Sequence, residues 1–124
     1  MPTRKSVFVV DDDSSVRISM KRLLREHGFG ALLFNSASAL LSHGDFGGAS
    51  CIVLDIDLDH ESGIDLRRRL AAEGVTVPVI YITGNDSQAT RSAAIESGCI
   101  AYLTKPFSAM SLIESVERAC ALVT

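Results

Sequence analysis

The sequence predicts an α/β fold, a single doubly wound sheet of five parallel strands built from five βα units. Three observations predict it. Five short runs rich in β-branched and aromatic residues recur along the 124 residues. Segments with apolar residues at helical spacing alternate with them, and such alternation means parallel βαβ crossovers with helices on both faces. The runs at 7–10, 51–54 and 78–82 carry almost no polar residue, as expected of strands covered on both sides rather than one. The length suits one core and there is no linker or low-complexity tract, so residues 1–124 read as one domain.

Taken in order, Val7-Phe8-Val9-Val10 is the first strand. Asp13 or Ser14 caps a helix on which Val16, Met20, Leu23 and Leu24 share a face, with His27-Gly28 at its end. The run 31–34 is the second strand. Ser36 or Ser38 caps the next helix, through Ala39, Leu40 and Leu41, and 44–48 is a turn. Cys51-Ile52-Val53-Leu54 is the third strand. A polar loop over 55–63 precedes a helix over 64–72, stopped by Gly74. The run 78–82 is the fourth strand, and a helix follows Gly84-Asn85-Asp86 to Ser97-Gly98. The run 100–103 is the fifth strand. Lys105-Pro106-Phe107 is a turn, and Ser108 caps a helix to about residue 121.

Composition narrows the function. Twelve Lys and Arg against 15 Asp and Glu give a net charge of −3, without the basic stripe of a dedicated nucleic-acid binder. Trp is absent and aromatics are few, which disfavours base stacking. The start, MPTRKSVFVVDDD, has an apolar stretch too short for a signal peptide, and no window is long and apolar enough to span a bilayer, so a cytoplasmic location is expected. Cys51, Cys99 and Cys120 lack paired spacing and read as reduced, buried or half-buried thiols. His27, His43 and His60 read as surface residues, and Arg67-Arg68-Arg69 as a solvated helix face.

The acids are unevenly placed. Six of the nine aspartates fall in two clusters, Asp11-Asp12-Asp13 and Asp55, Asp57, Asp59. Two carboxylates ~4 Å apart repel by roughly 4 kcal/mol at an effective dielectric of ~20, so gathering them needs a compensating cation. Both clusters follow strands, and ligands bind doubly wound sheets at the carboxyl ends of strands. Thr83 ends the fourth strand and Lys105 follows the fifth. If the first and third strands are neighbours, one sheet edge collects carboxylates, a hydroxyl and an ammonium. Such hard oxygen donors suit Mg²⁺. A carboxylate beside Mg²⁺, a hydroxyl and a Lys can attack a phosphoryl group. The spacing Asp55-x-Asp57-x-Asp59 does not continue as a calcium loop, because His60 and Leu66 stand where Gly and Glu are required.

The succession VVDDD, then VLD ending in Asp55 with Gly63 eight residues on, then ITG with Thr83, then YLTKPF resembles the receiver domain of two-component response regulators, the CheY-like family, over nearly the whole chain. LuxR-type transcription regulators have similar receivers, a link to transcription regulation. The resemblance implies a flavodoxin-like strand order 2-1-3-4-5. It implies that Asp55 is the phosphoacceptor. Asp12, Asp55 and the backbone carbonyl of Asp57 would hold Mg²⁺ (or Mn²⁺ in its place), with Asp11 contributing through water. Thr83 and Lys105 would contact the phosphoryl oxygens, and Thr83 and Tyr102 would be the switch residues. Asp57 and Asn85 would tune the lifetime of the phosphoryl group, and the Lys105-Pro106 peptide would be cis. The implied partners are a histidine kinase or phosphotransfer protein of a phosphorelay, meeting the first helix, and a second copy in a phosphorylation-dependent homodimer. No direct nucleic-acid or membrane binding is implied. Such a domain is not an enzyme beyond catalysing its own phosphorylation and dephosphorylation.

The family usually reads Met-Pro at the third and fourth positions after the acceptor, and here they are Leu58 and Asp59. The change removes a φ restraint and adds an acid. Asp57 would repel the incoming group or orient a hydrolytic water. Two other readings compete. A haloacid-dehalogenase-like phosphatase would use Asp55 as nucleophile with Asp57 two residues on, but leaves Asp11 and Asp12 unexplained. A receiver-fold binding module would signal without phosphorylation.

Overall fold

The computed structural model describes residues 6–122, so the basic start of the chain and its last two residues lie outside the described residues. Five strands, β1 (Ser6–Val10), β2 (Gly30–Phe34), β3 (Ala49–Asp55), β4 (Val79–Thr83) and β5 (Ala101–Thr104), alternate with five helices. The helices are α1 (Ser14–Glu26), α2 (Ala37–His43), α3 (Gly63–Ala72), α4 (Gln88–Glu96) and α5 (Ala109–Ala121). The strands form one parallel sheet in the order β2-β1-β3-β4-β5. This is the order that the resemblance implied.

Alternate residues of each inner strand feed two cores. Val7, Val9, Cys51, Val53, Ile80 and Ile82 pack with Met20 and Leu24 of α1 and Leu112 and Val116 of α5. Phe8, Val10, Ile52, Leu54, Val79 and Tyr81 pack with Leu40 of α2, Leu66 and Leu70 of α3, and Ala94 of α4. That two-sided burial is why β1, β3 and β4 read as continuous apolar runs. Strand β5, at the edge, is only half-buried.

Each helix starts at an oxygen-bearing cap. Asp13, Ser36, Ser62, Ser87 and Ser108 accept hydrogen bonds from first-turn amides of α1 to α5. Four of the helices, α1 to α4, exit through a left-handed glycine, as at Gly28 (φ 85°) and Gly74 (φ 87°). Strand β3 runs further than its apolar core. Ser50 joins it because its hydroxyl donates to the Ser6 carbonyl at 3.3 Å, so a polar residue is satisfied inside the sheet. Strands β4 and β5 each sit one residue later than the apolar runs suggest, because Thr83 and Thr104 pair with each other.

Some surface expectations change. Arg68 pairs with Asp65 and Arg69 with Glu61, both at the surface, but Arg67 is half-buried. It lines a cavity of about 420 Å³ with Thr76, Pro78, Cys99 and Ile100. His43 is exposed, yet its ring lies edge-on to Phe8 and Phe34 at 5.4 Å. Cys51 is buried and Cys99 and Cys120 are half-buried, all as free thiols. Burial pushes the Cys51 thiol up to about 12, so it is not a nucleophile at neutral pH. No helix among the described residues is long and apolar enough to cross a membrane.

Candidate functional site

Strands β1 and β3 are hydrogen-bonded neighbours, with Val10 beside Leu54. The residues that follow them therefore emerge at one sheet edge. Backbone bonds extend the ladder past the strand ends and fix the loops there. The Asp11 amide donates to the Phe34 carbonyl at 3.2 Å, Ile56 to Ile82 at 2.9 Å, and Lys105 to Thr83 at 2.8 Å.

Asp11 is fully buried and Asp55 nearly so. A single ammonium serves both: Lys105 Nζ lies 3.0 Å from Asp11 Oδ2 and 3.2 Å from Asp55 Oδ2. The remaining oxygens take backbone amides. Asp11 Oδ1 accepts from Asp13 N at 2.9 Å, and Asp55 Oδ1 from Asp57 N at 2.8 Å. Arg17 of α1 donates from Nη1 to the Asp11 carbonyl at 2.7 Å. Burial raises the Asp55 carboxyl above its ordinary value and the Asp11 charge adds to this, while the Asp57 amide and Lys105 oppose it. Burial pulls the Lys105 ammonium down, but the hydrogen bonds and charges of Asp11 and Asp55 outweigh it and the net shift is upward.

Asp12 completes the set. One carboxylate oxygen each from Asp11, Asp12 and Asp55 lies within 4.8 Å of the others. Partial burial raises Asp12, and a hydrogen bond and charge from Asp59 raise it further. Asp59, the acid in place of a proline, thus faces Asp12. Three clustered carboxylates with one flanking ammonium keep a net negative charge. Their hard oxygens fit a small divalent cation such as Mg²⁺, which takes few protein carboxylates and keeps its other positions for water or phosphate.

The loop after β3 is held without the proline. Ile56 and Leu58 are buried, and Asp57 forms a bridge to Ser62 across the turn. The Gly63 amide donates to the Ile56 carbonyl at 2.9 Å. A Cβ at Gly63 would collide with the Asp55 carbonyl oxygen, so this position needs Gly for close approach rather than for φ.

Thr83 is buried at the end of β4. Its hydroxyl donates to Asp57 Oδ2 at 2.6 Å and accepts from the Asn85 amide at 3.0 Å. The side chain of Asn85 is exposed. Tyr102, on β5, is half-buried, and its hydroxyl donates to Asp86 Oδ1 at 2.8 Å. Arg91 of α4 pairs with Asp86 Oδ2 at 2.9 Å and stacks 4.8 Å from the centre of the Tyr102 ring. Partial burial and the neighbouring Asp86 push the Tyr102 phenol up to about 12. The Tyr102 and Arg91 donors hold Asp86 below the usual carboxylate range. The sequence reading did not single out Asp86 or Arg91. Their five-residue spacing at the start of α4 was the available signal, and a weak one. The Lys105-Pro106 peptide is cis. Beside it, Ser15, Val16 and Ser19 of α1 and Lys105, Pro106 and Phe107 line a groove of about 520 Å³.

Comparison with known proteins places this arrangement. Residues 7–117 match the family model described as the response regulator receiver domain. The response regulator protein TmoT of Ectopseudomonas mendocina is 33% identical over 94% of this chain and 53% of its own length. Nodulation protein W of Bradyrhizobium diazoefficiens is 36% identical over 94% of this chain and 52% of its own. The chain thus spans about half the length of these curated relatives. The crystal structure of FixJ-N superimposes with a TM-score of 0.88 at 30% identity, over 97% of this chain and 96% of that one.

Proposed function

Because the chain belongs to the response regulator receiver family, the phosphoacceptor signalling domains of two-component systems, we propose that Asp55 is the residue that takes the phosphoryl group. The observation that carries this reading is the Lys105 ammonium bridging Asp11 and Asp55, with the Asp12 carboxylate beside them.

Asp11, Asp12 and Asp55 would hold Mg²⁺, with the Asp57 carbonyl as a further ligand. When bound, the ion supplies positive charge that offsets the phosphoryl oxygens. The other steps belong to the chain. An Asp55 carboxylate oxygen attacks phosphorus, the bond from phosphorus to the donor's histidine nitrogen breaks, and the electron pair leaves with the imidazole. The product is an acyl phosphate on Asp55. Lys105 is placed to follow the new charge, and Thr83 supplies a hydroxyl donor once turned toward it. Water attack on phosphorus later releases inorganic phosphate and restores the carboxylate. The domain is a signalling switch that turns over only its own phosphoryl group.

A histidine kinase or phosphotransfer protein is the donor, and the groove between α1 and the Lys105-Pro106-Phe107 turn adjoins the acceptor on the side where it would dock. The switched surface is that of α4, β5 and α5, through which two phosphorylated copies would pair. Exposed Ile95 on α4 and Met110 on α5 give it apolar contact area. Moving a two-state equilibrium from 1:99 to 99:1 takes about 5.5 kcal/mol, within reach of a phosphoryl group contacted by a divalent ion, Thr83 and Lys105. A cytoplasmic location and a link to transcription regulation in a longer protein accord with this role.

The test is incubation with acetyl phosphate and Mg²⁺ followed by intact-mass measurement. One added phosphoryl group is expected, lost in Asp55→Asn and on chelation. No added mass, or addition undiminished in Asp55→Asn, overturns the assignment.

A further inference from the structure

The Thr83 hydroxyl has one proton, and it is already committed. It goes to Asp57 Oδ2 at 2.6 Å, while the hydroxyl oxygen accepts from the Asn85 amide at 3.0 Å. Thr83 is fully buried, so its side chain has little freedom to serve a second acceptor without leaving the first. Asp57 is tied at both ends. Its amide donates to Asp55 Oδ1 at 2.8 Å and its carboxylate holds Thr83. The contact spans 26 residues and joins the loop after β3 to the end of β4.

We propose that Asp57 is a positioning residue that holds the Thr83 hydroxyl away from Asp55, so that a phosphoryl group on Asp55 must displace the Asp57 carboxylate to gain the Thr83 proton. The inference rests on Asp55 as the phosphoacceptor. Two acceptors compete for one proton, and the resting contact is a charge-assisted hydrogen bond, the stronger kind. Asp57 thus raises the threshold for switching before any question of phosphoryl lifetime arises. The effect belongs to the acceptor oxygen and its geometry, not to negative charge alone, and this separates it from simple repulsion of the incoming group.

The experiment compares wild type, Asp57→Asn and Asp57→Ala. Asn keeps an acceptor oxygen and loses the charge, whereas Ala loses both. Without any phosphoryl mimic, the Asn85 amide is followed by NMR shift and hydrogen exchange, and a double-mutant unfolding cycle pairs Asp57→Ala with Thr83→Val. With Mg²⁺ and beryllofluoride as the mimic, the half-saturating beryllofluoride concentration is measured. The expected result is a non-additive cycle, an altered Asn85 amide in Asp57→Ala, and half-saturation lowered about three- to tenfold in that variant. That range is modest for a bond to a charged group because Asp57 is exposed. Asp57→Asn should stay nearer wild type. An additive cycle with an unmoved Asn85 amide, or equal gains in the Asn and Ala variants, overturns the proposal. If no protein, wild type included, binds beryllofluoride while the cycle remains coupled, the phosphoacceptor reading fails and the competition fails with it, whereas the Asp57 to Thr83 contact stands.

Discussion

Lys105 carries one positive charge between two carboxylates that the fold has removed from water. Removing one partner of a buried ion pair is far costlier than never burying it. Lys105→Met should therefore destabilise the protein at neutral pH by about 2 kcal/mol, below the fully buried range of roughly 3–5 because the lysine is partly exposed. Chemical unfolding checks it. The ammonium's folded pKa is raised, so its contribution is fully present below its ordinary value of 10.5 and is lost as pH rises through the folded value. Asp12 has the opposite sign. It is an acid raised above its ordinary 3.8 by partial burial and by Asp59. Its penalty is absent below 3.8, grows as pH rises through the raised value, and is complete above it. Asp12→Asn should accordingly be more stable than wild type at neutral pH, by about 1 kcal/mol if one charge contact near 4 Å in a watery dielectric is relieved, and no more stable well below pH 3.8. Thermal melts across pH check both ends. The identities of these residues were legible in the chain, since strand ends announce where side chains gather. Their pairings were not. Asp57 facing Thr83 and Asp59 facing Asp12 depend on the path of the loop after β3, for which periodicity carries no information.

Helix α4 and strand β5 are tied by three side chains, with Asp86 receiving Tyr102 and Arg91 while Arg91 covers the tyrosine ring. This arrangement holds the half-buried Tyr102 ring under Arg91 of α4, with its hydroxyl on Asp86. Asp86→Ala should lower the Tyr102 pKa from about 12 toward 10, because the Asp86 hydrogen bond and charge are the causes of the shift after burial. Ultraviolet titration of the phenol, in a Tyr81→Phe background to remove the other tyrosine, reads the change. An unmoved titration would assign the shift to burial alone. The same variant should make the resting protein easier to switch, with beryllofluoride-induced spectral change at lower concentration. At this scale the sequence was informative about element type and less so about ends. Caps read from the sequence located the starts of α1, α2 and α5 within a residue or so, whereas the Ser62 and Ser87 caps of α3 and α4 were not read. Strand β3 ran longer because Ser50 found a backbone partner, a contact that no local signal announces.

The two-sided core explains why the site can be so acidic. Val7, Val9, Val53 and Ile82 on one face and Phe8, Ile52, Leu54 and Tyr81 on the other anchor β1, β3 and β4, so the charged edge beyond them need not be stable by itself. The molecule as a whole should respond to Mg²⁺ as a ligand of the native state only. At tenfold above its dissociation constant the ion adds about 1.4 kcal/mol. The gain should be largest at neutral pH, vanish in acid as Asp12 and Asp55 take protons, and be much reduced in Asp12→Asn. A melting-temperature series with and without the ion decides this. The parallel sheet was legible from apolar runs alternating with helices, but runs alone do not order strands. The order came from the resemblance, and hydrogen-bonded register places β1 against β3.

The bridge from Lys105 to Asp11 joins residues 94 apart in the chain. Nothing local holds them together. They meet only when the first and last βα units have docked on a completed sheet. A chain cut short before β5 would carry Asp11, Asp12 and Asp55 with no ammonium among them, so the mutual repulsion of these carboxylates is offset only at the end, by a residue the chain supplies last.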